Sequence, residues 1–261
     1  DADNSVYLMG SFHLLKPDDY PLAEAAESAF ADAEHVVFEL SPAEMADPAL
    51  GQKMMQAALL PPDQPLQSQL PAETFARLEA WAARRGLPIA TLQRFEPWYV
   101  GLVVGVTEMQ ALGLSPEHGL DKHFAGRATE AGKAVAGLER VDDQIALFDS
   151  LDPALQRQSL EDTLAEVEAM EQRVAQMHAL WRAGDGEGLY ALTGAEMKAE
   201  YPALYERMNT ARNLAWLPRV KAMLDAQAED DALVVVGALH LLGEDGLVDL
   251  LEAEGYTVER L

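Results

Sequence analysis

The chain has 261 residues, enough for one large α/β domain, and its 44 acidic against 19 basic side chains give a formal net charge of −25. This charge repels nucleic-acid phosphates and anionic lipid surfaces, so we expect neither as a partner. The sequence contains no cysteine, which excludes disulfides, thiolate nucleophiles and cysteine-ligated zinc or iron–sulfur centres.

Two buried strands open the chain. Residues 5–9 and 35–40 are short runs rich in β-branched and aromatic residues, and a helical pattern that starts at Pro21 lies between them. Strand, helix and strand form a βαβ unit, which predicts that the two strands pair in parallel.

The middle of the chain is mostly helical, because apolar residues recur there at steps of three and four. A third short strand, near residues 133–138, interrupts it. Helices are predicted at 43–60, 71–86, 116–132, 152–183 and 195–228, with a glycine-rich turn at 185–188. Residues 95–99 break the helical pattern, and a long apolar helix follows them to about residue 112.

The end of the chain returns to the sheet. A fourth strand covers 233–236, a helix follows over roughly 245–254, and residues 256–259 read as a final edge strand. The sequence predicts an α/β fold with a mixed, largely parallel central sheet built from both chain ends, and a large helical middle that covers it or forms a lid. We expect a single domain over residues 1–261, with a helical insertion at approximately 43–230.

The same motif closes the first and the fourth strand. Each strand runs into a glycine, two spacer residues and a histidine, as Gly10-x-x-His13 and Gly237-x-x-His240. Glycine suits a point where the backbone turns sharply or is approached closely. Two histidines placed alike at opposite ends of the chain predict two halves of one site.

Carboxylates stand at the ends of the other two strands, at Glu39 and Glu139. The carboxyl ends of parallel strands converge on one crevice, where ligands bind. Two imidazoles with one or two carboxylates form a ligand set for Zn, Mn, Fe or Co. They are equally a general base, an electrophile and an orienting carboxylate without metal. Glu139 could instead pair with Arg140 or cap the next helix.

The remaining histidines show no such pattern. His35, His118, His123 and His178 lie on polar faces or strand starts, and we expect them to be solvated. The metalloprotease His-Glu-x-x-His, the Gly-x-Ser-x-Gly elbow, the P-loop and the Gly-x-Gly-x-x-Gly fingerprint are all absent from the sequence.

Several ordered blocks resemble the TraB/GumN family over most of the chain. Two departures are Ser11 and Arg140, where threonine is common in the family. The matching blocks are residues 7–13, 20–22, 36–39, 119–121, 132–133, 137–139, 144, 212–213, 237–243, 246–247 and 250–251.

The resemblance implies the fold shared by erythromycin esterases and the haem-binding ChaN lipoproteins, and different chemistries on that scaffold. TIKI-like members are divalent-metal-dependent peptidases that typically use Mn or Co. The esterase relatives hydrolyse with histidine and glutamate and need no metal. ChaN-like relatives bind haem.

We therefore predict a metal-dependent hydrolase, with peptidase as the leading class, acting on a peptide or small-molecule substrate. His13, Glu39 and His240 would hold a divalent ion, Mn or Co with Zn as a further candidate. Glu139 would be a further ligand or a supporting carboxylate. Such an ion lowers the pKa of bound water towards about 7 and polarises the scissile carbonyl.

Arg212 and Asn213 match the family's Arg-Asn element. They would orient a substrate carboxylate or stabilise an oxyanion, unless they are only a helix packing pair. Two other functions stay open: a metal-free hydrolase of the esterase type with Glu39 orienting a histidine base, and a ChaN-type protein that binds haem or a small ligand. The sequence does not indicate the substrate or the oligomeric state.

The chain starts without methionine and enters its first strand almost at once. This start is typical of a mature or trimmed chain and, with the lack of cysteine, predicts a periplasmic or secreted protein whose signal peptide has been removed. No apolar run approaches the roughly 20 residues that a membrane-spanning helix needs, so we expect no membrane insertion.

Overall fold

A parallel sheet carries the residues that the sequence singled out. The computed structural model describes residues 5–225 and 230–261, and within them the sheet has four strands in the order β1-β4-β2-β3, all parallel. The predicted α/β class, with a sheet from both chain ends and a large helical middle, is confirmed. The strands are β1 (Val6–Ser11), β2 (His35–Leu40), β3 (Ala134–Glu139) and β4 (Ala232–Gly237).

Strand β4 lies between β1 and β2, so the direct pairing predicted for the first two strands is wrong. The first five residues of β4 are all buried, whereas five of the six residues of β1 are only partly buried. A strand that is apolar on both faces is favoured at the centre of a parallel sheet. The two Gly-x-x-His motifs therefore end neighbouring strands, with Ser11 opposite Gly237.

Helices make up most of the remaining chain. The first eight are α1 (Glu24–Asp32), α2 (Pro42–Met45), α3 (Leu50–Ala57), α4 (Leu66–Gln69), α5 (Ala72–Arg85), α6 (Ile89–Leu92), α7 (Pro97–Ala111) and α8 (Leu120–Ala131). The others are α9 (Val141–Asp149), α10 (Pro153–Glu166), α11 (Met170–Ala183), α12 (Gly186–Leu192), α13 (Gly194–Glu200), α14 (Pro202–Tyr205), α15 (Ala211–Leu224) and α16 (Leu247–Ala253). None of the described helices has the length and apolar character needed to cross a bilayer.

Two long predicted helices are divided. The segment predicted at 43–60 forms α2 and α3, which a break around Pro48 separates, and the segment at 152–183 forms α10 and α11. The predicted turn at 185–188 opens α12, because the side chain of Asp185 caps that helix through the Gly188 N–H at 2.9 Å.

The last predicted helix, 195–228, is a chain of shorter pieces. It consists of α13, α14, a π-helical segment at Glu206–Thr210 and α15. Proline divides α13 from α14 at Pro202, but Pro218 lies inside α15 without ending it. Residues 226–228 of this prediction lie outside the described residues.

The final edge strand predicted at 256–259 is not formed. Tyr256 and Val258 pack instead against the buried cluster that contains Val234 and Leu251. The Tyr256 hydroxyl also donates to Oδ1 of Asp225 at 2.7 Å. Side-chain burial, rather than a hydrogen-bond ladder, holds this end of the chain.

The chain divides into two compact units. The first holds the sheet and comprises the segments up to Met45, Leu114–Arg140 and Ala175–Leu261. Alternate strand residues feed separate clusters on its two faces, as expected for a sheet that is covered on both sides. The second unit, Ala46–Gly113 with Val141–Val174, is helical and has its own core. The single-domain assignment stays a prediction.

Candidate functional site

Three of the predicted site residues meet at the end of β4. A Cβ added to Gly237 would lie 3.2 Å from Oε1 of Glu39, 3.5 Å from Nε2 of His13 and 3.5 Å from Cδ2 of His240. These side chains therefore surround one small space at the carboxyl edge of the sheet. Glycine keeps this space open, since any side chain at residue 237 would occupy it.

His13 is held from behind by Asp121 at the start of α8. Its Nδ1 lies 2.7 Å from Oδ2 of Asp121, whose Oδ1 accepts a hydrogen bond of 2.9 Å from the Ser11 hydroxyl. Because the carboxylate accepts, Nδ1 carries the proton and Nε2 faces the space at Gly237. The His13 side chain is 59% exposed and Asp121 13%. Gly119 permits the contact, since a Cβ there would collide with the His13 carbonyl oxygen.

The His13 ring is more basic than an ordinary imidazole. Desolvation alone would lower its pKa, but the charge and hydrogen bond of Asp121, helped by the charge of Glu39, raise the pKa to about 9. His13 is therefore mostly cationic at neutral pH and becomes a neutral base near pH 9. Asp121 was missed among the predicted site residues, although it lies in one of the family-like blocks.

Glu39 is a buried carboxylate that stays ionised. Its Oε1 accepts the N–H of Gly237 at 2.7 Å, and its Oε2 accepts Nη2 of Arg212 at 2.5 Å. Burial raises the pKa of Glu39, but the charges of Arg212, His13 and His240 and the Gly237 N–H outweigh it and lower the pKa to about 2.

Arg212 is the cation at the centre of the site. Its Nε and Nη2 donate to the two carboxylate oxygens of Glu139, at 3.2 and 2.5 Å, and Nη2 also donates to Glu39. Its Nη1 donates to Nε2 of His240 at 2.9 Å and to the Met208 carbonyl at 3.2 Å. All five N–H donors of the guanidinium are thus engaged. This arrangement leaves no donor for the predicted oxyanion role, and it pairs Glu139 with Arg212.

His240 is a buried, neutral imidazole of defined tautomer. Arg212 has only donors, so Nε2 of His240 accepts and the proton lies on Nδ1. Nδ1 donates to Oδ1 of Asn213 at 2.7 Å, and Nδ2 of Asn213 donates to the Asp245 carbonyl at 2.7 Å, which orients the amide. Desolvation lowers the pKa of His240 to about 3. Asn213, with no exposed surface, therefore orients the ring of His240, and its predicted contact with a substrate stays a prediction.

The π-helical segment leads directly into the Arg-Asn pair. Such segments are rare and are frequent at functional sites. Residues at both of its ends are tied to Asp245, whose Oδ1 accepts the Tyr205 hydroxyl at 2.7 Å and whose Oδ2 accepts the Thr210 hydroxyl at 2.8 Å. The sequence showed the pair but carried no signal for the π-helical turn that orients it.

Acid should destabilise the unit that contains the site. The folded pKa values of Glu39 and His240, about 2 and about 3, lie below their ordinary values of 4.5 and 6.5. The unfolded chain therefore binds more protons than the folded chain as the pH falls through this window. The stability that these two groups contribute is complete above about pH 6.5 and is lost towards pH 2–3.

We expect the free energy of unfolding to fall by about 2–3 kcal/mol between pH 7 and pH 4 from His240 alone, as measured by urea unfolding. His240→Gln should lower stability at pH 7 and flatten this dependence, because glutamine does not titrate. The matched control His35→Gln, at a histidine that is 45% exposed, should keep the wild-type slope. An unchanged slope in His240→Gln would contradict the assignment.

Two of the other histidines are packed, so the prediction that all four are solvated is wrong for these. His178 lies against Phe12 and Trp181, with ring centroids 5.8 and 5.9 Å apart, and His123 lies on Tyr20 at 4.6 Å. Desolvation lowers the pKa of both histidines. Their aromatic neighbours come from distant segments, which the local pattern does not show.

Sequence comparison places the chain in a known family. A sequence profile of the TraB/PrgY/gumN family matches residues 1–260. The chain belongs to the TraB/PrgY/gumN family. Family relatives include YbaP of Escherichia coli (strain K12), 27% identical over 246 residues that make up 94% of this chain and 87% of that protein.

The relatives also include animal proteins of the TIKI type. Metalloproteases TIKI2 and TIKI1 of Danio rerio are 24% and 25% identical, over 97% and 98% of this chain. The match covers only 58% and 61% of their own lengths. No solved structure matches this TraB/PrgY/gumN chain.

The predicted metal ligands do not fit a divalent ion as they stand. Within residues 5–225 and 230–261, no three histidine, aspartate or glutamate side chains are grouped to hold one. Oε2 of Glu39 and Nε2 of His240 both accept hydrogen bonds from Arg212, so the guanidinium occupies positions that a metal would need. The metal at His13, Glu39 and His240 stays a prediction.

Proposed function

We propose that this chain is a hydrolase of peptide or ester carbonyl bonds in which His13 is the general base. One observation carries the proposal: Nε2 of His13 faces the open space at Gly237, while Nδ1 is held by the carboxylate of Asp121. A histidine oriented in this way is suited to proton transfer with a water molecule or a leaving group. Two relatives named metalloproteases support peptide hydrolysis.

Two other ionisable groups of the site, Glu39 and His240, are poor bases. Glu39, with a pKa of about 2, holds its proton too weakly, and His240 has its Nε2 committed to Arg212. His13 accepts a proton at Nε2 from the attacking water, and the imidazolium then returns it to the leaving group. Asp121 holds the ring in the required tautomer throughout.

The buried cluster beneath His13 favours this cycle electrostatically. The cluster consists of Glu39, Glu139, Arg212 and His240, and within it the charge of Glu39 raises the pKa of His13 by more than the charge of Arg212 lowers it. A negative charge close to His13 stabilises the imidazolium that forms when water is deprotonated. The five hydrogen bonds of Arg212 keep the cluster rigid, so little reorganisation accompanies the proton transfer.

A metal-dependent peptidase is the second candidate, because the TIKI relatives are named metalloproteases. In that case Arg212 must release Glu39 and His240, and the protein needs Mn, Co or Zn for activity. Haem binding of the ChaN type is the third function, and it predicts a Soret band when haem is added.

The test is an assay of chelator-treated protein against a peptide library and a panel of esters. We expect turnover that persists in excess chelator, that added Mn, Co or Zn does not increase, and that His13→Ala removes. Activity lost on chelation and restored by Mn or Co would establish the second candidate. A Soret band without turnover of any substrate would overturn the hydrolase.

A further inference from the structure

A cavity of about 420 Å³ lies beside the end of β1. Its lining is mostly apolar and includes Leu22, Ala26, Leu120 and the indole of Trp181. Nε1 of Trp181 donates to the Gly10 carbonyl at 2.9 Å, which fixes this wall to the strand. The volume falls within the roughly 300–1,000 Å³ of typical ligand sites.

The polar end of the cavity is electrically balanced. The buried carboxylate of Asp19 accepts the Lys16 N–H at 2.7 Å and lies 3.3 Å from Nη1 of Arg182, which also donates to the Asp19 carbonyl at 2.9 Å. His178 lies 3.4 Å from the same carboxylate, and desolvation lowers its pKa, so it is neutral at neutral pH. Among the described residues that line the cavity, the charged side chains of Asp19 and Arg182 are therefore paired with each other.

The cavity is close to the proposed catalytic base. Gly10 lines it and precedes His13 by three residues, so the two Cα atoms are at most about 11 Å apart. Leu120 also lines it, and the next residue, Asp121, holds His13. About three residues of an extended peptide span this distance.

We propose that this cavity binds a large apolar side chain of the substrate, of the leucine, methionine or phenylalanine type, within three residues of the bond hydrolysed at His13. The inference rests on the proposed hydrolase function. An apolar side chain gains from leaving water, whereas a charged one would be desolvated beside an ion pair that is already satisfied. Selection by such a pocket is worth about 10- to 200-fold in kcat/KM.

The experiment profiles cleavage of a peptide library by mass spectrometry, with variants that fill the cavity. Ala26→Phe projects a ring into it, and Ala31→Phe places the same ring on the exposed face of the same helix, α1. We expect the wild type and Ala31→Phe to prefer a large apolar residue near the cleaved bond by tenfold or more. Ala26→Phe should lose that preference but should still cleave peptides that carry glycine at the same position near the cleaved bond.

A wild type without apolar preference, or an Ala26→Phe protein that keeps it, would overturn the inference. If Ala26→Phe does not fold, the smaller Ala26→Leu with Ala31→Leu decides in the same way.

A binding measurement separates this inference from the hydrolase proposal. Inactive His13→Gln protein is titrated with N-acetyl-phenylalanine amide by calorimetry. We expect binding that Ala26→Leu weakens at least tenfold and Ala31→Leu leaves unchanged. Such binding supports the pocket even if no peptide or ester is hydrolysed, whereas no binding, or binding indifferent to Ala26→Leu, overturns it.

Discussion

Replacing Arg212 with methionine should lower the free energy of unfolding by about 3–5 kcal/mol and remove turnover. The change leaves Glu39 and Glu139 buried without their common cation, and it removes the donor that holds Nε2 of His240. The pKa of Glu39 should then rise, because Arg212 is the largest of the influences that lower it. Urea unfolding at pH 7 measures the stability, and an ester or peptide assay measures the turnover.

Two comparisons make this result specific. Arg77→Met removes an exposed pair with Glu73 on one helix and should cost less than about 0.5 kcal/mol. Adding Glu139→Gln to Arg212→Met should recover part of the stability, because it removes one of the unpaired charges. The free energy of unfolding of Arg212→Lys should stay well below that of the wild type, because an ammonium group has three donors for the five contacts that Arg212 makes. An Arg212→Met protein as stable as wild type would refute the central role of the guanidinium.

Replacing His13 with alanine should lower kcat by about 10²- to 10⁴-fold. The free energy of unfolding at pH 7 should also fall, because the ion pair that raises the pKa of His13 is lost and Asp121 keeps no cationic partner there. The His13 side chain is largely exposed and its hydrogen-bond partner among the described residues is Asp121, so its removal disturbs little packing. His118→Ala, in the same unit but outside the site, is the matched control and should keep full activity. Equal activity in both variants would remove His13 from the mechanism.

The pH dependence of Asp121→Asn tests the same mechanism independently. Because the general base must be neutral, wild-type kcat/KM should rise with pH until His13, with a pKa of about 9, has lost its proton. Asparagine removes the main influence that raises this pKa, so the rising limb should move towards about pH 6.5. The maximal rate should also fall, because the ring loses the carboxylate that fixes its tautomer.

The control Asp18→Asn removes an exposed aspartate from the same unit and should leave the rising limb of the kcat/KM profile at the wild-type pH. A limb that stays near pH 9 in Asp121→Asn would show that another group carries the proton transfer.

The strand ends were readable from the sequence because their signals are local. A short β-branched run followed by glycine marks the end of a buried strand, and this placed His13 and His240 where the structure has them. Glu39 and Glu139 were found as carboxylates at the ends of the other two predicted strands. Family resemblance added Arg212 and Asn213, which local periodicity treats as an ordinary helix face.

The hydrogen-bond partners of these residues could not be predicted from the sequence, because the partners come from segments far apart in the chain. Asp121 reaches His13 across 108 residues, and Arg212 reaches Glu39 across 173. The order of the strands was also missed, since the pairing of β1 with β4 depends on which strand is buried on both faces.

The sequence by itself determined the α/β class, the two matching strand ends and the acidic, cysteine-free character of the chain, because composition and short-range patterning encode them. Only the tertiary structure decided that the cation among Glu39, Glu139 and His240 is the guanidinium of Arg212. It also decided that Nε2 of His13 faces an open space at Gly237, with no hydrogen-bond partner in the described part of the chain, whereas Nε2 of His240 accepts from Arg212. The physical reason is that a buried donor or acceptor left without a partner costs free energy, so most of them are paired. Which partner it finds depends on the folding together of the whole chain.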